Sequence, residues 1–384
     1  MLQSRRIYLP PLSIIGPGAL NDLGEELKGL PYKKALFVTD KVLVKIGVAQ
    51  KVSKVLEASG VKAVIFDNVQ PNPTVKNVNN GLKMLKENDC DFILTLGGGS
   101  PQDCGKAIGI LATNGGDIKD YDGIHKSEKV SLPIIAINTT AGTASEVTIN
   151  YVITDVARQV KMVMVDKNCL VSIAVNDPEL MLGKPADLTA ATGMDALTHA
   201  IETYVTKGAF DWSDALALEA IKLISQSLEQ AVNNGSDLES RSKMAWGQFI
   251  AGQAFSNAGL GFVHSMAHQL GGMYDLPHGV ANAVLLPHVE KFNIPSCTYK
   301  LKRVARAMGV GVLDMSDEEG ANAAIEAIKK LSKSVGIPSG LKELGVKEED
   351  FVVMAKNAIA DVCTGGNPKD VTVEDAIAIY KAAM

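Results

Sequence analysis

Residues 91–107 read DFILTLGGGSPQDCGKA. An apolar run from Phe92 to Leu96 stops at three glycines and Ser100, and a helical pattern opens near Pro101. A buried strand that turns through glycines into a helix is half of a βαβ unit, so this stretch predicts a parallel sheet. Ser100 suits the cap of that helix, Pro101 its first position, and Asp103 completes an S-x-x-D box. The pattern repeats on either side. KKALFVTD at 33–40 is a buried strand with Asp40 at its carboxyl end, and VKAVIFD at 61–67 is another. SLPIIAINTTAGT at 131–143 is a further strand ending in a second loop of small polar residues. Helices are expected from about 19, over about 47–59, and after the PNPT turn at 71–74. Leu12 to Ile15 form a short extended piece that could pair across subunits. The β-branched segment 147–176 adds strands or a hairpin. After Pro185 the spacing becomes helical throughout, with Ala-rich faces and no strand pattern. The fold class is therefore an α/β domain over 1–184 followed by an all-helical domain over 185–384, with the cleft between them the default ligand site.

Composition narrows the function. Hydrophobic residues at 46% and charged residues at 21% fit a compact folded chain. A net charge of −5 without a basic stripe argues against nucleic-acid binding. The N-terminus has only a short apolar run broken by prolines, unlike a signal peptide, and no window approaches the roughly 20 apolar residues of a membrane span. The five cysteines (Cys90, Cys104, Cys169, Cys297 and Cys363) show no CxxC spacing, the pattern of a reducing, cytoplasmic setting.

Four of the six histidines lie within residues 195–278, in GMDALTHAIETY (193–204) and GFVHSMAHQLGGMYDLPHG (261–279). Asp195 and His199 share a helix face at i, i+4, and His264 and His268 repeat that spacing on a second helix, which Gly271-Gly272 is expected to end. His278 follows after a loop. One carboxylate and up to four imidazoles, without thiolate, suit Fe, Zn, Co or Ni better than Ca or Mg. The competing reading, partnered core histidines, is weakened by two such pairs in one region. Spacing alone does not choose between His268 and His278. Meanwhile Gly97 to Ser100 and Thr139 to Thr143 place small polar loops at strand ends, where open α/β sheets collect ligands. The amides of a helix start attract a pyrophosphate, and Asp40 can hold ribose hydroxyls. The ordinary GxGxxG after the first strand is absent, so the reading rests on three polar strand ends together.

With these features in place, the chain resembles the iron-containing (group III) alcohol dehydrogenases nearly end to end. GGGSPQDCGKA, INTTAGTASE, AATGMDALTHAIE and GFVHSMAHQLGG followed by PHGVANAVLLPH carry the resemblance. It implies a dehydroquinate synthase-like architecture, with an N-terminal dinucleotide-binding domain and a helical metal domain. It assigns metal ligation to Asp195, His199, His264 and His278, and puts His268 close to the metal and the nicotinamide, usually not as a direct ligand. We read His268 as the proton relay, the competing role being to orient a ligand. For NAD it points to Asp40, Asn72, Gly98, Gly99, Ser100, Thr139, Thr140, Thr143 and Lys161. The implied cofactors are NAD and Fe(2+), alternatively Zn(2+); the partners are a small alcohol or aldehyde and further copies of the chain in a homodimer or larger assembly. TASEVTINYVITD (143–155), KGAFDWSDAL (207–216) and DVCTGGNP (361–368) most resemble the lactaldehyde reductase branch, with 1,3-propanediol, methanol and butanol dehydrogenases as alternatives. Asn150, Phe255, Leu260 and Cys363 are the substrate-side candidates. A metallohydrolase would also use three histidines and an aspartate, but it has no need of Asp40 and two polar loops at neighbouring strand ends. A purely structural metal in a binding protein is the remaining alternative.

Overall fold

The computed structural model describes residues 4–158 and 160–384; the reading of the N-terminus draws in part on Met1–Gln3, which lie outside them. The chain forms two compact units, the first running to Thr140 and resuming over Ala144–Met181, the second made of Ala141–Thr143 and Leu182–Met384.

In the first unit, among the described residues, six strands form a parallel sheet in the order β1-β9-β6-β4-β2-β3. They are β1 (Leu12–Ile15), β2 (Lys34–Val38), β3 (Lys62–Phe66), β4 (Phe92–Gly97), β6 (Ile134–Asn138) and β9 (Ile173–Asn176). Phe37, Leu94, Leu96, Ile135, Ile137 and Val175 are fully buried, as continuous apolar strands of a covered parallel sheet must be. The helices α1 (Ala19–Gly29), α2 (Lys41–Lys45), α3 (Val48–Ala58), α4 (Val75–Glu87) and α5 (Gly99–Asn114) alternate with the strands. The β-branched segment does give a hairpin, β7 (Asn150–Asp155) against β8 (Val160–Val165), with β5 (Gly123–Ile124) beside β8. β1 pairs in parallel with β9 of its own chain and is the edge strand of the sheet. Register matters for function: Val38 pairs with Thr95, and Gly97 with Asn138, so β2, β4 and β6 end side by side.

The second unit holds α6 (Ala186–Val205), α7 (Asp211–Asn233), α8 (Leu238–Ala258), α9 (Phe262–Tyr274), α10 (His278–Ala307), α11 (Asp317–Ser334), α12 (Phe351–Ala360) and α13 (Val373–Ala382). No strand occurs in it among the described residues. α6 is buried along most of its length and packs against α7, α8 and α10. α9 runs through Gly271-Gly272 and stops at Asp275, whose left-handed φ of 52° closes it. Glycine was the wrong stop signal because Leu270 and Gly271 stay buried in the packing of the last turns. His278 follows α9 after the short loop 275–277, as expected, and is the first residue of α10.

Candidate metal and dinucleotide sites

α6 presents Asp195, His199 and Glu202 on one face, at i, i+4 and i+7. α9 presents His264 and His268 one turn apart, and α10 does the same with His278 and Asn282. One ligand atom from each of Asp195, His199, His264 and His278 lies within 4.8 Å of the others. Asn282 Nδ2 approaches Asp195 Oδ1 at 2.7 Å, His278 Nε2 at 3.1 Å and His264 Nε2 at 3.2 Å. An amide nitrogen has two hydrogens for these three acceptors. Asn282 Oδ1 and His199 Nδ1 are buried with no hydrogen-bond partner. The cluster therefore holds buried polar atoms without a partner, and an orphaned His199 nitrogen is a condition that a divalent cation relieves. Three nitrogens and one oxygen fit iron or zinc.

The electrostatics agree. Burial opposes ionisation of Asp195, but His199, His278 and His264 outweigh it and hold the carboxyl below its usual range. Burial, then the neighbouring His199, pushes His264 well below the ordinary imidazole value, which keeps it in the neutral, ligating form. The His264 ring stacks on His199 at 4.5 Å, and Phe255 stacks on the other side of His199 at 4.4 Å.

Glu202 sets the orientation of His264. Its Oε2 accepts the His264 Nδ1–H, which turns Nε2 toward Asp195 and His278. Its Oε1 accepts the Val263 N–H at 2.6 Å, while Asn367 Oδ1 accepts the Phe262 N–H at 3.3 Å. α9 has no side-chain cap of its own, so side chains from elsewhere satisfy its first amides. A Cβ at Gly261 would stand 3.0 Å from Glu202 Oε1 and 3.2 Å from Asn367 Oδ1, so glycine permits the approach. Burial raises the Glu202 carboxyl to about 7.

His268 falls outside the four-donor cluster and groups with Asp361 and Cys363. Its Nδ1 lies 2.8 Å from Asp361 Oδ2. Cys363 donates its amide to Asp361 Oδ1 at 2.9 Å, and burial lifts its thiol well above the ordinary value. Leu260 is buried, and its carbonyl accepts the Thr206 hydroxyl at 3.0 Å. Asn150 lies in the first unit at the start of β7. Its carbonyl accepts Lys106 Nζ at 2.8 Å, and its Oδ1 is buried without a hydrogen-bond partner. His125 lies in the first unit beside Asp166, away from these groups, and His288 is not among them.

The first unit gathers most of the residues expected to hold a dinucleotide. α5 begins at Gly99 with Gly98 as its cap, two residues earlier than Ser100 would place it. The reason is steric: Gly97 sits at φ 148°, and a Cβ at Gly98 would lie 3.0 Å from the Thr140 side chain. Glycine thus lets the strand turn at once into the helix, and the amides of its first turn carry no side-chain cap. Asp103 closes no box; it accepts from Ser145 Oγ at 2.7 Å and the Val152 amide at 3.0 Å, tying α5 to the hairpin. The neighbouring loop is held by Thr139 N–H to Gly97 O at 3.1 Å and Thr140 N–H to Asn138 Oδ1 at 3.0 Å. Asp40 caps α2, with Oδ1 accepting from Val42 and Leu43 at 2.8 and 2.9 Å. Its Oδ2 carries no such bond. Asn72, at φ 55°, accepts Lys161 Nζ at 2.8 Å, joining two residues far apart in sequence. Thr143 groups with the second unit.

Sequence reasoning missed Glu202, Asn282 and Asp361. The first two carried a signal: Glu202 is three residues past His199 and Asn282 four past His278, both on shared helix faces. Asp361, 93 residues from His268, carried none.

Comparison with known proteins agrees with this geometry. Residues 10–178 match the family model described as iron-containing alcohol dehydrogenase, and residues 189–384 the model for the C-terminal part of the Fe-containing alcohol dehydrogenase family. The chain is 48% identical to an NAD-dependent methanol dehydrogenase of Bacillus methanolicus, covering 98% of this chain and 99% of that one. It is 47% identical to a lactaldehyde reductase of Escherichia coli K12, covering 99% and 100%. The crystal structure of a 1,3-propanediol oxidoreductase superimposes with a TM-score of 0.97 at 48% identity, over 100% of both chains.

Proposed function

The chain belongs to the iron-containing alcohol dehydrogenase family, and from that premise we propose that it interconverts lactaldehyde and 1,2-propanediol with NAD and Fe(2+). The observation that carries the reading is the Asp195–His199–His264–His278 cluster, three of whose side chains are buried and in which His199 Nδ1 has no hydrogen-bond partner. These four side chains would hold the ion, Zn(2+) being the alternative to iron. A divalent ion there supplies Lewis acidity, which eases loss of the alcohol's proton. Glu202 keeps His264 turned inward, as carboxylate partners of metal-ligating histidines do. Phe255, stacked on His199, gives the cluster an apolar wall suited to a short carbon chain; Leu260, Cys363 and Asn150 complete the proposed substrate contacts.

On the first unit, the α5 amides at Gly98, Gly99 and Ser100 receive the pyrophosphate. Thr139, Thr140, Thr143 and the Asn72–Lys161 pair hold the remainder of NAD, and the second oxygen of Asp40 accepts from a ribose hydroxyl. Five free cysteines suit a reducing cytoplasm, and the enzyme works as a homodimer or larger assembly. Among the described residues no helix is long and apolar enough to cross a membrane.

The test is a panel of alcohols and aldehydes with NAD(H) after anaerobic reconstitution with Fe(II) or Zn(II). We expect kcat/KM for 1,2-propanediol to exceed that for 1,3-propanediol, methanol and 1-butanol, with the iron form the more active. A different leading diol or alcohol overturns the substrate assignment, and a faster zinc form overturns the metal.

A further inference from the structure

The two histidines of α9 are treated alike at Nδ1 and differently otherwise. His264 donates its Nδ1–H to Glu202 and turns Nε2 to the metal cluster. His268 meets Asp361 at the end of α12, 2.8 Å away, and its Nε2 carries no hydrogen bond to any described residue. Asp361 is itself held on several sides. Its Oδ1 accepts the Cys363 amide at 2.9 Å and stands 3.4 Å from the Ser265 hydroxyl, which Thr364 Oγ1 approaches at 2.8 Å. Burial opposes its ionisation, yet the His268 ring and the Cys363 amide outweigh that and hold it at about 2. A carboxylate that stays ionised and cannot swing away fixes the tautomer of the imidazole it faces.

We infer that Asp361 is the positioning residue of a histidine–carboxylate pair that keeps His268 protonated at Nδ1 and leaves Nε2 to take the alcohol's proton. This rests on the dehydrogenase reading above. In the oxidation, the O–H bond of the alcohol breaks as its proton passes to Nε2. The C–H bond breaks as hydride passes to the nicotinamide, so the alcohol is oxidised to aldehyde and NAD is reduced to NADH. The imidazolium formed is stabilised by Asp361 and returns its proton to water. The ring of His268 lies parallel to His278, 14° apart at 5.6 Å between centroids, which puts the pair next to the four-donor cluster.

Asp361→Asn separates positioning from bulk. The Cys363 N–H and Ser265 O–H call for an oxygen at the Oδ1 position, so the amide oxygen settles there and the NH2 faces His268 Nδ1. That nitrogen must then accept, and the ring is driven to the Nε2–H tautomer. Nitrogen-15 NMR of histidine-labelled, zinc-loaded protein, without NAD or alcohol, reads this directly. We expect an Nδ1–H signature for His268 in the native chain, an Nε2–H signature in Asp361→Asn, and a return toward Nδ1–H in Asp361→Glu. Metal content should stay at the native level in all three. In Asp361→Asn kcat should fall by about 10²–10⁴ with KM changed only a few-fold, and Asp361→Glu should recover part of the loss.

An unchanged tautomer in Asp361→Asn, a switched tautomer with native kcat, or loss of metal from that variant each overturns the proposal. So does a thiolate-to-metal charge-transfer band in cobalt-substituted protein that vanishes in Cys363→Ser, because His268, Asp361 and Cys363 would then be ligands of a second ion. Failure of the native enzyme to turn over any alcohol would refute the dehydrogenase reading, whereas the tautomer measurement stands apart from it.

Discussion

Replacing Glu290 by Gln should stabilise the protein at alkaline pH and leave it nearly unchanged at acid pH. Glu290 lies on α10, fully buried; Oε1 has no hydrogen-bond partner, and Oε2 has only a long contact of 3.4 Å to Asn293 Nδ2. Burial, with the Glu202 carboxyl adding to it, pushes its acidity from the ordinary 4.5 up to about 8. The sign follows from proton counting. Between those two values the folded chain keeps a proton that the unfolded chain has released, so folding stability falls as pH rises and levels off above about 8. Each unit of displacement is worth about 1.4 kcal/mol. From pH 5 to pH 8.5 the native protein should therefore lose about 4 kcal/mol relative to Glu290→Gln, an upper figure because buried sites relax on ionisation. Both tryptophans, Trp212 and Trp246, lie in α7 and α8 of the same unit. Tryptophan fluorescence under denaturant, on metal-free protein so that ligand histidines do not add metal-linked protons, follows the right transition. Parallel stability curves for the two proteins across this pH range would refute the argument.

Further substitutions separate roles within the sites. His278→Ala, like His264→Ala, should lose bound metal and activity together, whereas His268→Ala should retain metal by elemental analysis and lose about 10²–10⁴ in kcat; metal lost from the His268 variant and kept in the His278 variant would exchange the two roles. Asp40→Asn keeps a capping oxygen for Val42 and Leu43 but removes the charge facing a 2′-phosphate, so kcat/KM with NADP should rise tenfold or more, about 1.4 kcal/mol or above. Asp40→Ala should show the same gain with about 1 kcal/mol less stability from the lost cap, and an unchanged NADP value in both would place Asp40 away from the ribose.

The parallel sheet was legible because strands covered on both faces are written as unbroken apolar runs, and β2, β4 and β6 are such runs. The helical second half was legible from its 3.6-residue spacing. Asp195 with His199, and His264 with His268, could be paired on paper because a helix brings i and i+4 together whatever surrounds it. Local grammar failed where packing or sterics overrode it. Ser100 is a good capping residue, yet three glycines let α5 start before it. Gly271-Gly272 is a plausible stop, yet α9 continues to Tyr274 with Leu270 and Gly271 buried. Which imidazoles share a centre was a tertiary question. His268 and His278 are equally available by spacing, and the turn of α10 at His278 brings that ring to Asp195 while Asp361 draws His268 aside. No period of helix or strand links residue 268 to residue 361. Only the folded chain brings that carboxylate to one ring nitrogen, and the tautomer that follows is a property of the contact and not of either residue.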